Sequence, residues 1–330
     1  MEVEPGLIEE LSDATAGALL PERSARGHKG TFGRLLVLAG SLDFAGSALL
    51  VCSAAGRAGA GLVALAVPES LQPLFAARVL ETTTMALPED DVEEVEPEDA
   101  LARILDHEHD ALVIGPGLRP GLATVELIRR LLAVDDPGTP PAVVDAEALR
   151  SLAAEDGWWL GVRRRCVLTP HTGEFARLRA ASGVGPDGDG DLLGDDAARA
   201  TAALDAARQW GQVVVLKGAR TVVAAPDGRL ARATFENPAM ATGGTGDVLS
   251  GTIGGLLAQH LEPYAAARLG VFLHGTAGEA IRDRLGDAGL LASDLLVEIA
   301  LARKRLAATH ARRTAERKLG FVPRPTGSTT

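Results

Sequence analysis

Two cysteines, four lysines and no apolar run of membrane-spanning length set the first limits on this 330-residue chain. Cys52 and Cys166 stand in unrelated contexts. That excludes a disulfide scaffold and suits a reducing cytosol. The longest apolar runs fall far short of a bilayer span, which excludes a helical membrane protein. Met1 to Arg26 holds acidic residues and no long apolar core, so it does not read as a signal peptide and the expected location is cytoplasmic. Positive charge is also short, with 33 Lys+Arg against 44 Asp+Glu and a net charge of −11. This argues against nucleic acid or an anionic membrane as the main partner. A polyanionic substrate would need a local pocket lined by cations or backbone N–H groups. No GK[ST], GxGxxG, GxSxG or HExxH occurs. Walker-type NTPases, dinucleotide dehydrogenases, serine hydrolases and zincins are therefore disfavoured.

The scarcity of lysine is itself a signal. Only Lys29, Lys217, Lys304 and Lys318 occur in an arginine-rich chain. A lysine kept in such a background points to a task that needs a compact point charge. Hydrophobic residues at 46% and charged residues at 23% allow a sizeable core, in one large α/β domain or two ordinary ones.

Short buried runs alternate with helical patterns. Arg34–Ala39, Gly61–Val67, Asp110–Ile114, Ala142–Val144 and Cys166–Leu168 read as strands. Helices are expected over Leu7–Leu20, Gly46–Gly59, Thr124–Ala133 and Asp195–Trp210. Val213–Lys217, Thr221–Ala225 and Arg229–Thr234 follow as shorter strands, with Asp227-Gly228 as a hairpin turn. This pattern predicts an α/β layer fold with a mostly parallel sheet. Glu89 to Asp99, eight acidic residues in eleven, reads as a solvated loop. Asp187, Asp189 and Asp191 resemble a calcium loop, but Leu192 stands at the turn glycine and Ala198 at the closing glutamate. The basic, then Pro/Gly/Ser/Thr-rich tail from about Ala308 reads as disordered. The expected organisation is a lead-in at 1–27, a catalytic domain at 28–305 and a tail at 306–330.

Asn237 to Asp247 carries the most chemistry. It ends in Gly243-Gly244-Thr245-Gly246-Asp247 and runs into an apolar helix, Val248 to Gln259. Glycines let a phosphate approach the backbone, and the helix start turns free N–H groups and a positive dipole end toward it. A carboxylate beside such an anion hole suits a base that activates a hydroxyl for phosphoryl transfer. The competing reading is a glycine turn with an N-capping aspartate. Gly251, Gly254 and Gly255 within the helix each cost about 1 kcal/mol relative to alanine, so they imply close backbone packing.

Other candidate elements lie at strand ends, where open α/β sheets bind ligands. These are Gly115-Pro116-Gly117, Thr169-Pro170-His171-Thr172-Gly173-Glu174 and Lys217-Gly218-Ala219-Arg220-Thr221. His171 can hydrogen-bond a ligand or act as acid or base, or be a loop histidine beside a capping Thr172. Lys217, the bared N–H of Gly218 and the Thr221 hydroxyl suit phosphates or a ribose. His28-Lys29-Gly30 with Gly33, and Gly40-Ser41 with Gly46-Ser47, form glycine-rich flanks of the first strand.

Taken in order, HKGTFGRLLVLAGS, DALVIGPGL, VVDAEAL, CVLTPHTGEFARL, VVVLKGART and ENPAMATGGTGDVLSG resemble the ADP-dependent NAD(P)H-hydrate dehydratase family, as do His274-Gly275 and Ala292-Ser293-Asp294. The resemblance spans about residues 28–305. It implies a ribokinase-like three-layer αβα fold and a homotetramer or larger assembly. It also implies repair of the S epimer of hydrated NADH or NADPH (NADHX, NADPHX), with ADP or ATP as phosphoryl donor and Mg²⁺. It sets the hydrate against Ser47, Gly117, His171 and Asp247. It sets the adenine nucleotide against Lys217, Gly218, Ala219, Arg220, Thr221 and Gly246. Asp247 is then the catalytic base, and Gly244, Thr245 and Gly246 are the anion cradle. No metal-ligand set emerges. Ser47 departs from the family, which usually has alanine there. Many bacterial relatives carry an N-terminal epimerase domain, for which 330 residues leave no room. The R epimer would then fall to a separate epimerase or to spontaneous epimerisation.

Overall fold

The computed structural model describes residues 8–183 and 192–318. The Asp187–Asp191 run and the Pro/Gly/Ser/Thr-rich end lie outside those residues. The strands are β1 (Glu9–Glu10), β2 (Arg34–Leu38), β3 (Leu62–Pro68), β4 (Thr83–Leu87), β5 (Glu89–Asp91), β6 (Glu94–Val95), β7 (Ala111–Ile114), β8 (Ala142–Val144), β9 (Cys166–Leu168), β10 (Val213–Leu216), β11 (Val222–Ala224) and β12 (Leu230–Arg232). The helices are α1 (Asp13–Gly17), α2 (Ala45–Ala58), α3 (Gln72–Ala76), α4 (Pro97–Asp106), α5 (Leu122–Ala133), α6 (Glu147–Ala153), α7 (Thr172–Ala181), α8 (Asp196–Trp210), α9 (Thr245–Ala258), α10 (Pro263–Leu285) and α11 (Asp294–Lys318).

One sheet runs β4-β3-β2-β7-β8-β9-β10-β11-β12-β1. It is parallel from β4 to β10, then turns antiparallel through β11 and β12. Its residues alternate between two cores, as the two-residue period of a strand requires. Leu35, Val37, Val113 and Val215 face α2, α9, α10 and α11. Leu36, Leu38, Ile114 and Leu216 face α4 through α8. The result is the expected three-layer sandwich, with both sheet faces covered.

The glycines of α9 have the predicted reason. A Cβ at Gly251 would fall on the Val51 carbonyl oxygen of α2, and one at Gly255 would meet the Ala55 carbonyl oxygen at 2.6 Å. Gly254 lies over Val113 and Leu35 of the sheet. Gly56, on the same helix pair, has nothing within 4 Å of its Cβ position. Gly255→Ala should therefore lower stability by about 1–3 kcal/mol. Gly56→Ala should raise it by about 0.5–1 kcal/mol, by restricting the unfolded chain. Urea melts of the two variants check this, and equal shifts would contradict the packing argument.

Three expectations fail. Among the described residues, no helix spans 8–20, where 7–20 was the expected range. Glu9 and Glu10 pair with Ala231 and Arg232 at the sheet edge, and Ser12 then caps the short α1. Edge hydrogen bonds and ion pairs from Glu10 to Arg220 and Arg232 outweigh the helical spacing. The acidic stretch is not a loop throughout. It forms the β5–β6 hairpin and the first turn of α4, where Pro97, Glu98 and Asp99 suit the positive helix end. Nor is Ala308 the start of a disordered tail, because α11 continues to Lys318. Leu306 is buried and His310 packs on Gly17, so tertiary contact anchors a stretch already rich in helix formers.

Candidate active site

Strand order reverses beside β2. The chain runs outward through β3 and β4, then returns to β7 on the other side. Loops leaving β2 and β7 therefore diverge and leave a crevice at the carboxyl edge, the usual ligand position in open α/β sheets. Gly40 donates its N–H to the Pro116 carbonyl at 2.8 Å, tying the two loops together. Gly117, at φ +67°, leaves no room for a side chain against the Phe44 carbonyl oxygen and Ser47 Cβ, each 2.8 Å from its Cβ position. The fold thus brings together Ser47 and Gly117, which are 70 residues apart in sequence.

The first turn of α9 enters the same edge. Gly244 adopts φ +88° at its start, with Leu50 and Ala292 packed behind it. The Thr245 hydroxyl lies 3.0 Å from both the Met240 and Thr242 carbonyls, which locks the preceding turn. His274 holds the turn from α10, its Nε2 2.9 Å from the Thr245 carbonyl. That acceptor requires the proton on Nε2. Burial drops the imidazole pKa to about 4, so the ring is neutral. The N–H groups of this first turn have no partner four residues back and remain available to an anion.

Asp247 stands in that turn. Burial raises its carboxyl pKa to about 6, and the Asp145 charge adds to the rise; a hydrogen bond from Ser47 and the Lys217 ammonium oppose it. Lys217 leaves β10 toward the same point, and its Nζ lies 3.5 Å from the Cβ position of Gly246. It pairs with Asp145 at 2.7 Å and Glu174 at 3.7 Å. Burial alone would lower the lysine pKa, but Asp145, Glu174 and Asp247 together raise it, so it is a fixed cation.

His171 departs from the reading that made Thr172 the cap. It, not Thr172, caps α7. Its Nδ1 accepts the Gly173 and Glu174 N–H groups at 3.0 and 3.4 Å, while Glu174 accepts the His171 N–H at 2.8 Å. With Nδ1 occupied as an acceptor, Nε2 is the ring nitrogen left to donate. Nε2 lies 3.6 Å from a Glu174 carboxylate oxygen, and 57% of the side chain is exposed. His171 can therefore present an N–H donor to a ligand.

The 217–221 turn is stiffened from within. Arg199 is buried beneath Gly218 and donates to the Leu216 and Lys217 carbonyls at 3.2 and 3.4 Å. Thr221 donates to the Gly218 carbonyl at 2.9 Å. Arg220 turns its guanidinium to Asp196 at 3.1 Å and Glu10 at 3.3 Å. Ala219 is exposed at the tip.

One sequence candidate lies elsewhere. Gly40-Ser41 and Gly46-Ser47 flank the crevice, but His28-Lys29-Gly30 and Gly33 lie at the start of β2. There Gly33 packs on the Ala258 carbonyl, at the far end of α9. Glycine-rich flanks look alike at both ends of a strand, and only the strand's direction separates them. Lys217 is thus the lysine that reaches the site, and Lys29 does not. Asp145, Ser250 and Glu174 were not singled out from sequence as site residues. An acidic residue closing an apolar strand at its carboxyl end was the available signal for Asp145. Among the described residues, no cluster of three His, Cys, Asp or Glu could enclose a metal ion. No helix among them is long and apolar enough to cross a membrane.

A family model described as NAD(P)H-hydrate dehydratase matches residues 35–301. The bifunctional NAD(P)H-hydrate repair enzyme of Moorella thermoacetica is 43% identical over 288 residues, 87% of this chain and 52% of that one. The chain thus spans about half the length of such bifunctional relatives. The ADP-dependent (S)-NAD(P)H-hydrate dehydratase of Xanthomonas campestris is 36% identical over 288 residues, covering 86% of this chain and 93% of that one. Among solved structures, the ADP/ATP-dependent NAD(P)H-hydrate dehydratase of Bacillus subtilis, co-crystallised with ATP/Mg²⁺, superposes with a TM-score of 0.74 at 33% identity, covering 91% of this chain and 99% of that one.

Proposed function

The chain belongs to the NAD(P)H-hydrate dehydratase family and has a ribokinase-like fold, and from that premise we propose that it dehydrates the S epimer of hydrated NADH and NADPH at the expense of ADP. The observation that carries the reading is Asp247, a half-buried carboxylate with a raised pKa in the first turn of α9, beside the Lys217 ammonium. A carboxylate there repels a phosphate unless it removes a proton during transfer.

In the proposed sequence, the hydrate lies in the crevice between Ser47, Gly117 and His171. Asp247 takes the proton from the ring hydroxyl as its oxygen bonds to the terminal phosphorus of ADP. The bond from that phosphorus to AMP breaks. N–H groups of Gly244 to Gly246, with Lys217, stabilise charge on the transferring oxygens. The ring nitrogen's lone pair then expels phosphate, and loss of a proton from the neighbouring carbon restores the dihydronicotinamide. The products are NAD(P)H, AMP and phosphate. The 217–221 turn holds the nucleotide's phosphates and ribose.

Three carboxylates, Asp145, Glu174 and Asp247, face one ammonium here. A nucleoside diphosphate adds more negative charge, so the site suits a divalent cation with hard oxygen ligands. With no carboxylate cage among the described residues, phosphates and water would supply most of the Mg²⁺ ligands. When bound, Mg²⁺ would neutralise phosphate charge. A cytoplasmic homo-oligomer working beside a separate epimerase completes the proposal.

The test mixes acid-hydrated NADH with the protein, Mg²⁺ and either ADP or ATP, and follows reduced-nicotinamide absorbance. The expected result is recovery of the S-epimer fraction, with AMP formed in equal amount from ADP. Phosphorylation of a hydroxymethylpyrimidine instead would favour a vitamin-precursor kinase.

The pH dependence has a definite sign. Asp247 must be ionised to act, so kcat/KM should rise as pH passes through about 6. Its folded pKa lies above the 3.8 of a free aspartate. Its contribution to stability is therefore fully present below about 3.8 and is lost as pH rises through about 6. Activity and this share of stability should move in opposite directions across that window. A pH–rate profile flat between 5 and 7 would contradict the assignment.

A further inference from the structure

The proposed mechanism places Lys217 beside the phosphate but leaves unexplained how a flexible four-carbon side chain stays there. We infer that Asp145 is a positioning residue, which aims the Lys217 ammonium at the terminal phosphate of the bound nucleotide. The inference rests on the phosphoryl-transfer reading of the site, and on these observations.

Both carboxylate oxygens of Asp145 are engaged. Oδ1 accepts from Lys217 Nζ at 2.7 Å, and Oδ2 accepts from the Ser250 hydroxyl at 2.6 Å. Two donors on two oxygens fix the carboxylate plane as well as its position. Asp145 is 1% exposed and Ser250 is fully buried. Asp145 thus cannot touch a ligand itself and acts only through the lysine.

Its backbone is clamped too. The Asp145 N–H donates to the Ile114 carbonyl at 3.1 Å, and Gly115 packs on the Asp145 carbonyl oxygen. Asp145 is held by the switch-point loop on one side and by α9 on the other. Through the buried pair, the position of Lys217 is tied to the helix whose first turn forms the anion cradle. Thr169, 3.5 Å from the Ser250 hydroxyl, closes the network.

The groups facing Lys217 come from four elements. They are Asp145 beyond β8, Glu174 on α7, Asp247 on α9 and the neutral His274 on α10. Of these, Asp145 makes the short contact and Glu174 the longer one, at 3.7 Å. The short contact sets the ammonium's position, and the longer one leaves its remaining protons free to turn toward phosphate.

The test compares Mg²⁺–ADP with AMP by titration calorimetry on the full chain and its Asp145→Asn, Lys217→Met and doubly substituted variants. Only ADP carries the phosphate that Lys217 would meet. Losing a charge-assisted hydrogen bond should weaken ADP about tenfold in either single variant and leave AMP within about twofold. The double variant should be no weaker than Lys217→Met alone, because Asp145 acts through the lysine. Equal weakening of ADP and AMP would mean a merely structural role and would overturn the inference. So would additive losses. Tighter ADP binding by Asp145→Asn would show that the carboxylate competes with phosphate instead of aiming the cation.

Should Asp145→Asn fail to fold, Ser250→Ala removes one of its two anchors, and a smaller loss of about threefold for ADP alone is expected. Binding is read without turnover. Failure of the dehydratase reading would appear only as no recovery of reduced nicotinamide, and failure of this inference only in the ADP-to-AMP comparison.

Discussion

Asp247→Asn should lower turnover by about 10²–10⁴-fold while ADP and AMP affinities stay within about threefold of the native chain. The amide matches the carboxylate in shape but cannot accept the hydroxyl proton. The N–H groups of the cradle, Lys217 and the 217–221 turn are untouched, so the nucleotide keeps its contacts. Removing a negative charge beside the phosphates could even tighten binding slightly. The same variant should melt at a higher temperature than the native chain at pH 8 and show no such gain at pH 4. The reason is that the ionised carboxylate is held against burial and the Asp145 charge. Catalytic loss with a pH-dependent gain in stability is the mark of a residue kept for chemistry. Affinity falling in step with turnover would instead make Asp247 a nucleotide ligand. Steady-state kinetics, calorimetry and melts at the two pH values distinguish these.

Gly115→Ala should cost about 2–5 kcal/mol of stability. Gly115 has φ +118°, a conformation that side chains strain to adopt. A Cβ there would fall on the Asp145 carbonyl oxygen and lie 2.8 Å from the Ala148 Cβ. Neither neighbour can yield, because Asp145 is bound at both carboxylate oxygens and Ala148 begins the buried side of α6. Any relief moves Asp145, and with it Lys217, so residual folded enzyme should also lose ADP affinity. Gly161→Ala is the control: it has open space at its Cβ and should change stability by less than about 0.5 kcal/mol. Guanidinium melts of both variants check the contrast, and similar midpoints would contradict it.

Much of the fold was legible because local and tertiary demands coincide. Runs such as Leu35 to Leu38 and Val213 to Leu216 are apolar throughout, since both sheet faces are covered. Gly59 and Gly211 end α2 and α8 in left-handed conformations, as glycines after a helix do. The glycines of α9 correctly announced a close neighbour. The lead-in was misread because sheet-edge pairing and ion pairs from Glu9 and Glu10 act across more than 200 residues of sequence. The C-terminal basic stretch was misread because composition alone does not reveal that Leu306 and His310 find partners.

The site was legible where its chemistry is local. Gly244 to Asp247 carries its turn, helix start and carboxylate within four residues. Lys217 stood out by the rarity of its type. What composes the rest is contact between distant segments. Asp145 and Ser250 are 105 positions apart, and Lys217 lies 72 from Asp145. No spacing rule joins them: the parallel sheet brings the ends of β8 and β10 to one edge, and α9 packs Ser250 against them. The same geometry explains why the His28–Gly33 flank was grouped with Gly40–Ser41, although a full strand separates them.

The most direct measurement is a crystal structure of the chain grown with Mg²⁺ and a non-transferable ADP analogue. The account predicts the terminal phosphate within hydrogen-bond reach of the Gly244 to Gly246 N–H groups and of Lys217 Nζ. Asp247 should then face the space in which an attacking hydroxyl would lie. A nucleotide bound at any other edge of the sheet, or with its phosphates turned away from the first turn of α9, would contradict it.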